Sequence, residues 1–320
     1  YLDGNSLGPL PKAALSKIQM ATSDEWGKSL IKGWNQNGWM EKPFKLGNKI
    51  AKLLKAKKNT IILGDTLSIK QFQALTAAIQ IASTPGQILS DTGNFPSDIY
   101  IADQYLKHMG FPPLKLVPPE KVADSIINDE ISILMLTEVD YRTSRLHDMK
   151  ALTELAHSKG IITIWDLAHS AGAIEVNLNE TNVDFAIGCT YKYICAGPGS
   201  PAFLYVRDDH IKKIDPLIAG WLGHESPFSF NSTYIPANNI NKFRIGTPPV
   251  LQLASLEGAM DLWDGVSIEE VRQEAKRLTE LFCQGIRKLN INLHLVSPVD
   301  PEKRGNHISF STEKAYEKMQ

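Results

Sequence analysis

From about residue 60 the apolar positions of this chain alternate between two rhythms. Short continuous apolar runs predict strands at 60–63, 88–90, 114–117, 131–137, 161–165, 184–188 and 202–206. Between them, apolar residues recurring every three or four positions predict helices at 68–82, 97–109 and 148–159, with a further helix between 117 and 131. Apolar runs such as 131–136 suit strands buried on both faces, so the pattern predicts an α/β fold with a mainly parallel central sheet flanked by helices. Beyond Pro248 the rhythm turns mainly helical, at 250–263 and 268–289, followed by strand-like 293–296 and 308–311. That shift predicts a smaller α+β C-terminal domain over 249–320. A large domain would span 41–248, and residues 1–40 would form an N-terminal segment packed on the small domain. The chain does not open on Met and stops soon after its last strand-like run, so both ends of a longer natural chain are expected to lie outside it.

Composition narrows the functional classes. The chain has 320 residues, with 34 basic against 35 acidic side chains, so no global field draws in nucleic acid or an anionic membrane. No apolar run reaches the length of a membrane span. Cys189, Cys195 and Cys283 stand at unrelated spacings, giving neither a disulfide framework nor a metal site. The expectation is a reduced, cytoplasmic globular protein.

In open α/β sheets ligands gather at the carboxyl ends of the strands. Polar clusters follow five of the predicted strands: 65–68, 91–98, 137–143, 166–169 and 190–192. Two of them belong together. The strand at 161–165 runs into Asp166, with His169 three residues on, and the strand at 184–188 runs toward Lys192, with a glycine-rich segment after it. A carboxylate beside a pyridine nitrogen keeps that nitrogen protonated, and a lysine amine can hold an aldehyde as an imine and later move protons. Both are what pyridoxal 5′-phosphate (PLP) requires. Taken singly, Asp166 reads as a turn or cap residue, Lys192 as a surface charge and His169 as a structural histidine. The combination points to PLP.

Several motifs carry a family resemblance. These are Tyr1-Leu-Asp-Gly-Asn-Ser-Leu-Gly-Pro9, Phe95-Pro-Ser-Asp98, Asp166-Leu-Ala-His-Ser-Ala-Gly172 and Cys189-Thr-Tyr-Lys-Tyr193 with Ala196-Gly-Pro-Gly199. Gly220-Trp-Leu-Gly-His224 and Phe243-Arg-Ile-Gly-Thr-Pro-Pro249 complete the set. Together they resemble the class V aminotransferase group of fold-type I PLP enzymes, and within it the kynureninase family, over essentially the whole chain.

The resemblance implies the PLP-dependent transferase-like fold and hydrolysis of L-kynurenine, or 3-hydroxykynurenine, to anthranilate or its 3-hydroxy form plus L-alanine, in tryptophan catabolism. It implies that Lys192 forms the imine, that Asp166 pairs with the ring nitrogen with His169 close by, and that Phe95 stacks on the ring with Asp98 in the same loop. Leu67 and Ser68 would contact the phosphate where a helix begins, which agrees with the anion affinity of helix N-termini, although the residues alone read as a plain helix start. Tyr191 would touch the phosphate and relay a proton, and Thr137 would place a hydroxyl near the ring. Trp221 and Thr247 would reach a phosphate across a homodimer interface. Trp34 would line the substrate's aromatic ring, a position where a tryptophan serves equally as a packing anchor. The family's carboxylate-binding arginine is expected beyond the last residue; Arg304 does not match its motif, and Arg244 reads as a structural pairing. A cysteine desulfurase or selenocysteine lyase on the same scaffold is the alternative, and it needs a mobile loop cysteine. Cys283 sits in a helical pattern, and Cys189 and Cys195 flank Lys192. A non-catalytic relative would have lost Lys192 or Asp166, and a Gly-x-Gly-x-x-Gly nucleotide turn is missing.

Overall fold

The computed structural model describes residues 1–83, 86–289 and 292–319. Seven strands form one sheet: β1 (Ile61–Leu63), β2 (Gln87–Asp91), β3 (Lys115–Val117), β4 (Ile131–Thr137), β5 (Ile162–Asp166), β6 (Phe185–Gly188) and β7 (Phe203–Val206). Their order is β1-β7-β6-β5-β4-β2-β3. The run from β6 to β3 is parallel throughout, and β7 is antiparallel to both β6 and β1. The reversal has a local cause. A parallel return needs a crossover, usually a helix, whereas residues 189–202 form an irregular loop without one, so the chain re-enters the sheet from the end at which it left.

Both faces of the sheet are covered. Every residue of β4 is buried. Leu134 and Leu136 join one core cluster and Ile133 and Met135 the other, the period of two that a strand between two helical layers must show. The helix Leu67–Ile81 supplies Ala74, Leu75, Ala77 and Ala78 to one side. The helices Lys42–Leu53 and Val250–Met260 supply Leu46, Ile50, Leu253 and Leu256 to the other.

Two N-terminal helices escape the apolar pattern for physical reasons. The helix Lys12–Met20 buries only Ala14. It docks by close approach instead: a Cβ on Gly258 would stand 2.5 Å from the main chain of Ala13 and Ala14. In the Lys42–Leu53 helix the buried stripe runs through Gly47, a residue that reads as a breaker in sequence. The last third of the chain adds the helix Ile268–Leu289 and a two-stranded antiparallel sheet, β8 (His294–Leu295) with β9 (Phe310–Ser311). No described helix is long and apolar enough to cross a membrane.

Candidate active site at the carboxyl end of β4 to β6

The ends of β4 and β5 lie in register, Thr137 beside Asp166. Thr137 Oγ1 donates to the Asp166 carbonyl at 3.4 Å. The Asp166 side chain turns back to accept the Ala168 N–H at 2.7 Å. A second acid meets it there: Asp98, in the first turn of the helix Pro96–Met109, hydrogen-bonds the Asp166 carboxyl, and both are buried. Burial, then the neighbouring charge of Asp166, push the Asp98 carboxyl well above the usual range. Burial also raises Asp166, against the pull of Lys192, the Ala168 N–H and the bond from Asp98. Like charges this close cannot both ionise, so Asp98 keeps the proton and donates it to the Asp166 carboxylate.

Lys192 lies on the loop that follows β6, with only 8% of its surface exposed. Its Nζ donates to His169 Nε2 at 3.0 Å and stands 5.8 Å from the Phe95 ring centroid and 5.7 Å from that of Tyr191. Burial first, then Lys192 and His307, push the His169 imidazole down to about 2. The ring is therefore neutral, and an accepting Nε2 leaves its hydrogen on Nδ1. Backbone bonds from Cys195 N to Lys192 O (2.9 Å) and from Ala196 N to Thr190 O (2.9 Å) fold the loop on itself. Cys195 takes a left-handed φ of 63° to close it. The N-terminal segment straps the loop from outside: Gly8 N–H donates to the Tyr191 carbonyl at 2.9 Å. A Cβ on Gly8 would collide with the Lys192 carbonyl oxygen, so only glycine fits there.

Beside these groups opens a cleft of about 280 Å³, lined among others by Leu67, Ser68, Phe95, Asp98, Tyr191 and Gly199. A larger cleft of about 760 Å³ lies between His147 and Arg272, but its lysine–carboxylate pair, Lys276–Glu302 at 2.6 Å, leaves Glu302 exposed to solvent, so chemistry rather than size singles out the smaller one. Leu67 and Ser68 open the helix Leu67–Ile81, capped by Thr66 Oγ1 accepting from Ile69 N at 3.4 Å. The first N–H groups of a helix have no partner within it and suit an anion at this end of the cleft. The Tyr191 phenol is held well above its usual range by burial and by the neighbouring Cys189 thiol, which burial itself pushes up to about 11.

The structure thus brings together Leu67, Ser68, Phe95, Asp98, Thr137, Asp166, His169, Tyr191 and Lys192. Three other sequence candidates stand apart. Trp34 packs edge-on against Trp39 at 5.3 Å and does not line the cleft. Trp221 is 41% exposed, beside Phe228 at 5.8 Å and Phe230 at 6.4 Å. Thr247 is exposed on the neighbouring segment. Arg304 spends its guanidinium on Pro298 O, Val299 O and Glu280, and Arg244 donates to Met40 O at 2.9 Å. Both arginines are structural. Cys189 and Cys283 are buried and Cys195 is half-buried, so no described cysteine stands on an exposed loop. Sequence reasoning missed His307, whose ring lies 5.7 Å from that of His169. A single histidine ahead of a strand-like run gives no signal of that proximity.

Residues 106–318 match the family model described as aminotransferase class-V. Kynureninase from Deinococcus radiodurans is 39% identical over 326 residues, spanning all of this chain and 79% of that protein. Kynureninase from Pseudomonas fluorescens is 39% identical over 328 residues with the same coverage. Among solved structures, the apo cysteine desulfurase of Thermococcus onnurineus NA1 superposes with a TM-score of 0.80 at 18% identity, covering 98% of this chain and 79% of that one. A mutant of C-DES, with glycine covalently linked to its PLP cofactor, superposes at 0.83 and 18% identity, covering 98% and 83%. At that identity the two structures speak for the fold alone: the PLP-enzyme fold that the desulfurases share. The sequence relatives speak for more, and the chain belongs to the kynureninase family of class-V aminotransferases.

Proposed function

We propose that the cleft holds PLP and that the enzyme hydrolyses the Cβ–Cγ bond of L-kynurenine, giving anthranilate and L-alanine, with 3-hydroxykynurenine as the close variant substrate. The observation that carries this is the buried Lys192 amine beside the Asp98–Asp166 carboxyl pair, in a chain 37–39% identical to curated kynureninases. The donor set fits the cofactor. Asp166, ionised and braced by Asp98, would hold the ring nitrogen's proton; Leu67 and Ser68 would hold the phosphate, and Phe95 the ring face. Thr137 and His169 would lie near the ring's other edge. Trp221 and Thr247, exposed and absent from the lining of their own cleft, would complete the phosphate site of a second copy in a homodimer.

Bound there, PLP supplies a protonated aromatic ring that accepts electron density from the substrate's Cα. The protein's own groups do the rest. Lys192 would move the Cα proton of the bound substrate, with His169 accepting from it and fixing its position. Tyr191 keeps its proton, because burial and Cys189 disfavour the phenolate, and so serves as an acid toward Cβ. Water contributes its oxygen to the γ-carbonyl carbon, and the Cβ–Cγ bond breaks with its electron pair left on Cβ. Trp34, outside the cleft within its own chain, is proposed to face the aromatic ring of the substrate.

The test is direct: PLP-loaded protein incubated with L-kynurenine should release anthranilate and alanine in equal amounts. Sulfide release from cysteine without anthranilate would instead favour the desulfurase reading, for which the described cysteines offer no exposed nucleophile.

A further inference from the structure

The C-terminal unit delivers one side chain to this site. Residues 303–307 are stitched onto the loop after β4: Leu146 N donates to Lys303 O at 2.9 Å, and Gly305 N donates to Ser144 O at 2.7 Å. Arg145 and Arg304 form an isolated antiparallel bridge. Arg272, from the helix Ile268–Leu289, clamps the same segment by donating to Arg304 O (2.7 Å), Gly305 O (3.0 Å) and Asn306 Oδ1 (2.7 Å). A Cβ on Gly305 would stand 2.6 Å from Val139 Cγ1, so the segment lies hard against the end of β4.

The residue so placed is His307. Only 8% of its surface is exposed; the Tyr141 main chain stands within reach of the ring, and at least one ring nitrogen has no hydrogen-bond partner among the described residues. Its ring stands 5.7 Å from that of His169, whose Nε2 in turn lies 3.0 Å from Lys192 Nζ. Burial pushes the His307 imidazole down to about 4, with Lys192 adding to that and the Tyr141 main chain, Asp140 and Asp3 pulling the other way. A buried imidazole nitrogen left unsatisfied is costly unless a ligand uses it. With its N–H toward the Tyr141 main chain, a neutral ring leaves its other nitrogen to accept from a water molecule, and the Asp140 and Asp3 carboxylates would steady the cation formed when it takes a proton.

We propose that His307 is a catalytic residue that holds the hydrolytic water and takes its proton as that water attacks the substrate's γ-carbonyl carbon. This rests on the kynurenine-hydrolase reading above. One O–H bond of the water breaks, its proton passing to the free imidazole nitrogen, and the oxygen bonds to the γ-carbon. The Cβ–Cγ bond then breaks with its electron pair left on Cβ, which takes a proton from Tyr191. His307 releases its proton to solvent and Tyr191 regains one, so both side chains end as they began.

The test separates steps that need this water from steps that do not. PLP-loaded full-chain protein carrying His307→Gln, whose amide can hold a water but cannot take its proton, is compared with wild type in three assays. These are L-alanine binding read from the cofactor's absorbance, exchange of the alanine Cα hydrogen with deuterated solvent, and anthranilate release from L-kynurenine. The expected result is a loss of about 10²–10⁴-fold in anthranilate release. Alanine binding and Cα exchange should stay within about twofold of wild type, because Lys192, held by His169, serves them without this water. Release within about threefold of wild type overturns the proposal. So does an equal loss of binding, exchange and release, which would make His307 a structural residue. His307→Phe, which cannot hold the water, should lose release at least as completely; release retained in that variant also overturns it. Wild-type protein that exchanges alanine but releases no anthranilate would sink the kynurenine reading instead.

Discussion

The carboxyls of Asp98 and Asp166 meet at the buried floor of the site, one from the first turn of a helix and the other from the end of β5, with a single proton between them. They are not interchangeable. Asp166 also accepts the Ala168 N–H and feels Lys192 as its main opposing charge, so the negative charge settles there.

Substitution of the two should therefore give unequal losses. Asp98→Asn keeps an N–H donor toward Asp166 and should cost turnover about tenfold or less. Asp166→Asn removes the charge that pairs with a protonated ring nitrogen and should weaken cofactor retention and turnover by at least about 10²-fold. Cofactor absorbance and kcat, measured on both variants, check the order; a more damaging Asp98→Asn would reverse the assignment.

Lys192 should be the residue that borohydride labels. Reduction of PLP-loaded protein followed by peptide mapping should place a pyridoxyl group on the peptide holding Tyr191 and Tyr193. Lys192→Ala should abolish the label and lower turnover by about 10²–10⁴-fold. A label elsewhere would falsify the cofactor assignment.

The neighbouring Glu138 gives a stability signature. Burial raises its carboxyl from 4.5 to about 7, with Ser170 pulling weakly the other way. The folded state therefore holds this proton more tightly than the unfolded chain does. Its contribution is fully present below about pH 4.5 and is lost as pH rises to about 7, an effect on the order of 3 kcal/mol. Glu138→Gln should flatten that part of the dependence and raise Tm at pH 8; thermal melts from pH 5 to 8 would show it.

A shared site predicts complementation. Lys192→Ala and Trp221→Ala proteins, each nearly inactive, should regain about a quarter of wild-type activity when dissociated and mixed in equal amounts, because half the dimers would carry one intact site. No recovery in a mixture shown to exchange subunits would place Trp221 outside the partner's site.

Much of this site can be read from sequence because strand ends are legible. Asp166 and Lys192 each follow an apolar run, and the rule that ligands gather at carboxyl ends of strands brings them together. Thr137, Asp98 and Ser68 fall in the same kind of polar cluster, but their roles are reached only through motif resemblance, since a strand-end hydroxyl or a residue in the first turn of a helix carries no periodic signal of its own. The direction of β7 is not specified, because apolar runs look alike whichever way they run; the helix-free loop before it decides that. His307 is invisible for a different reason. Its position depends on Gly305 packing against Val139 and on Arg272 holding three carbonyl or amide oxygens, contacts whose partners lie far away in the chain.

The strap formed by Gly8 has a consequence for how the enzyme comes into being. Gly8 precedes every strand of the sheet in the order of synthesis, yet the surface it grips, the Tyr191 and Lys192 carbonyls, exists only after β6 has joined the sheet and the loop beyond it has closed. The earliest part of the site to be made is thus among the last to be placed, a contact of high sequence separation whose closure entropy is met only once the sheet has formed. Until then the Lys192 loop has only its own backbone bonds to hold it, so the outer wall of the site is the last to be set.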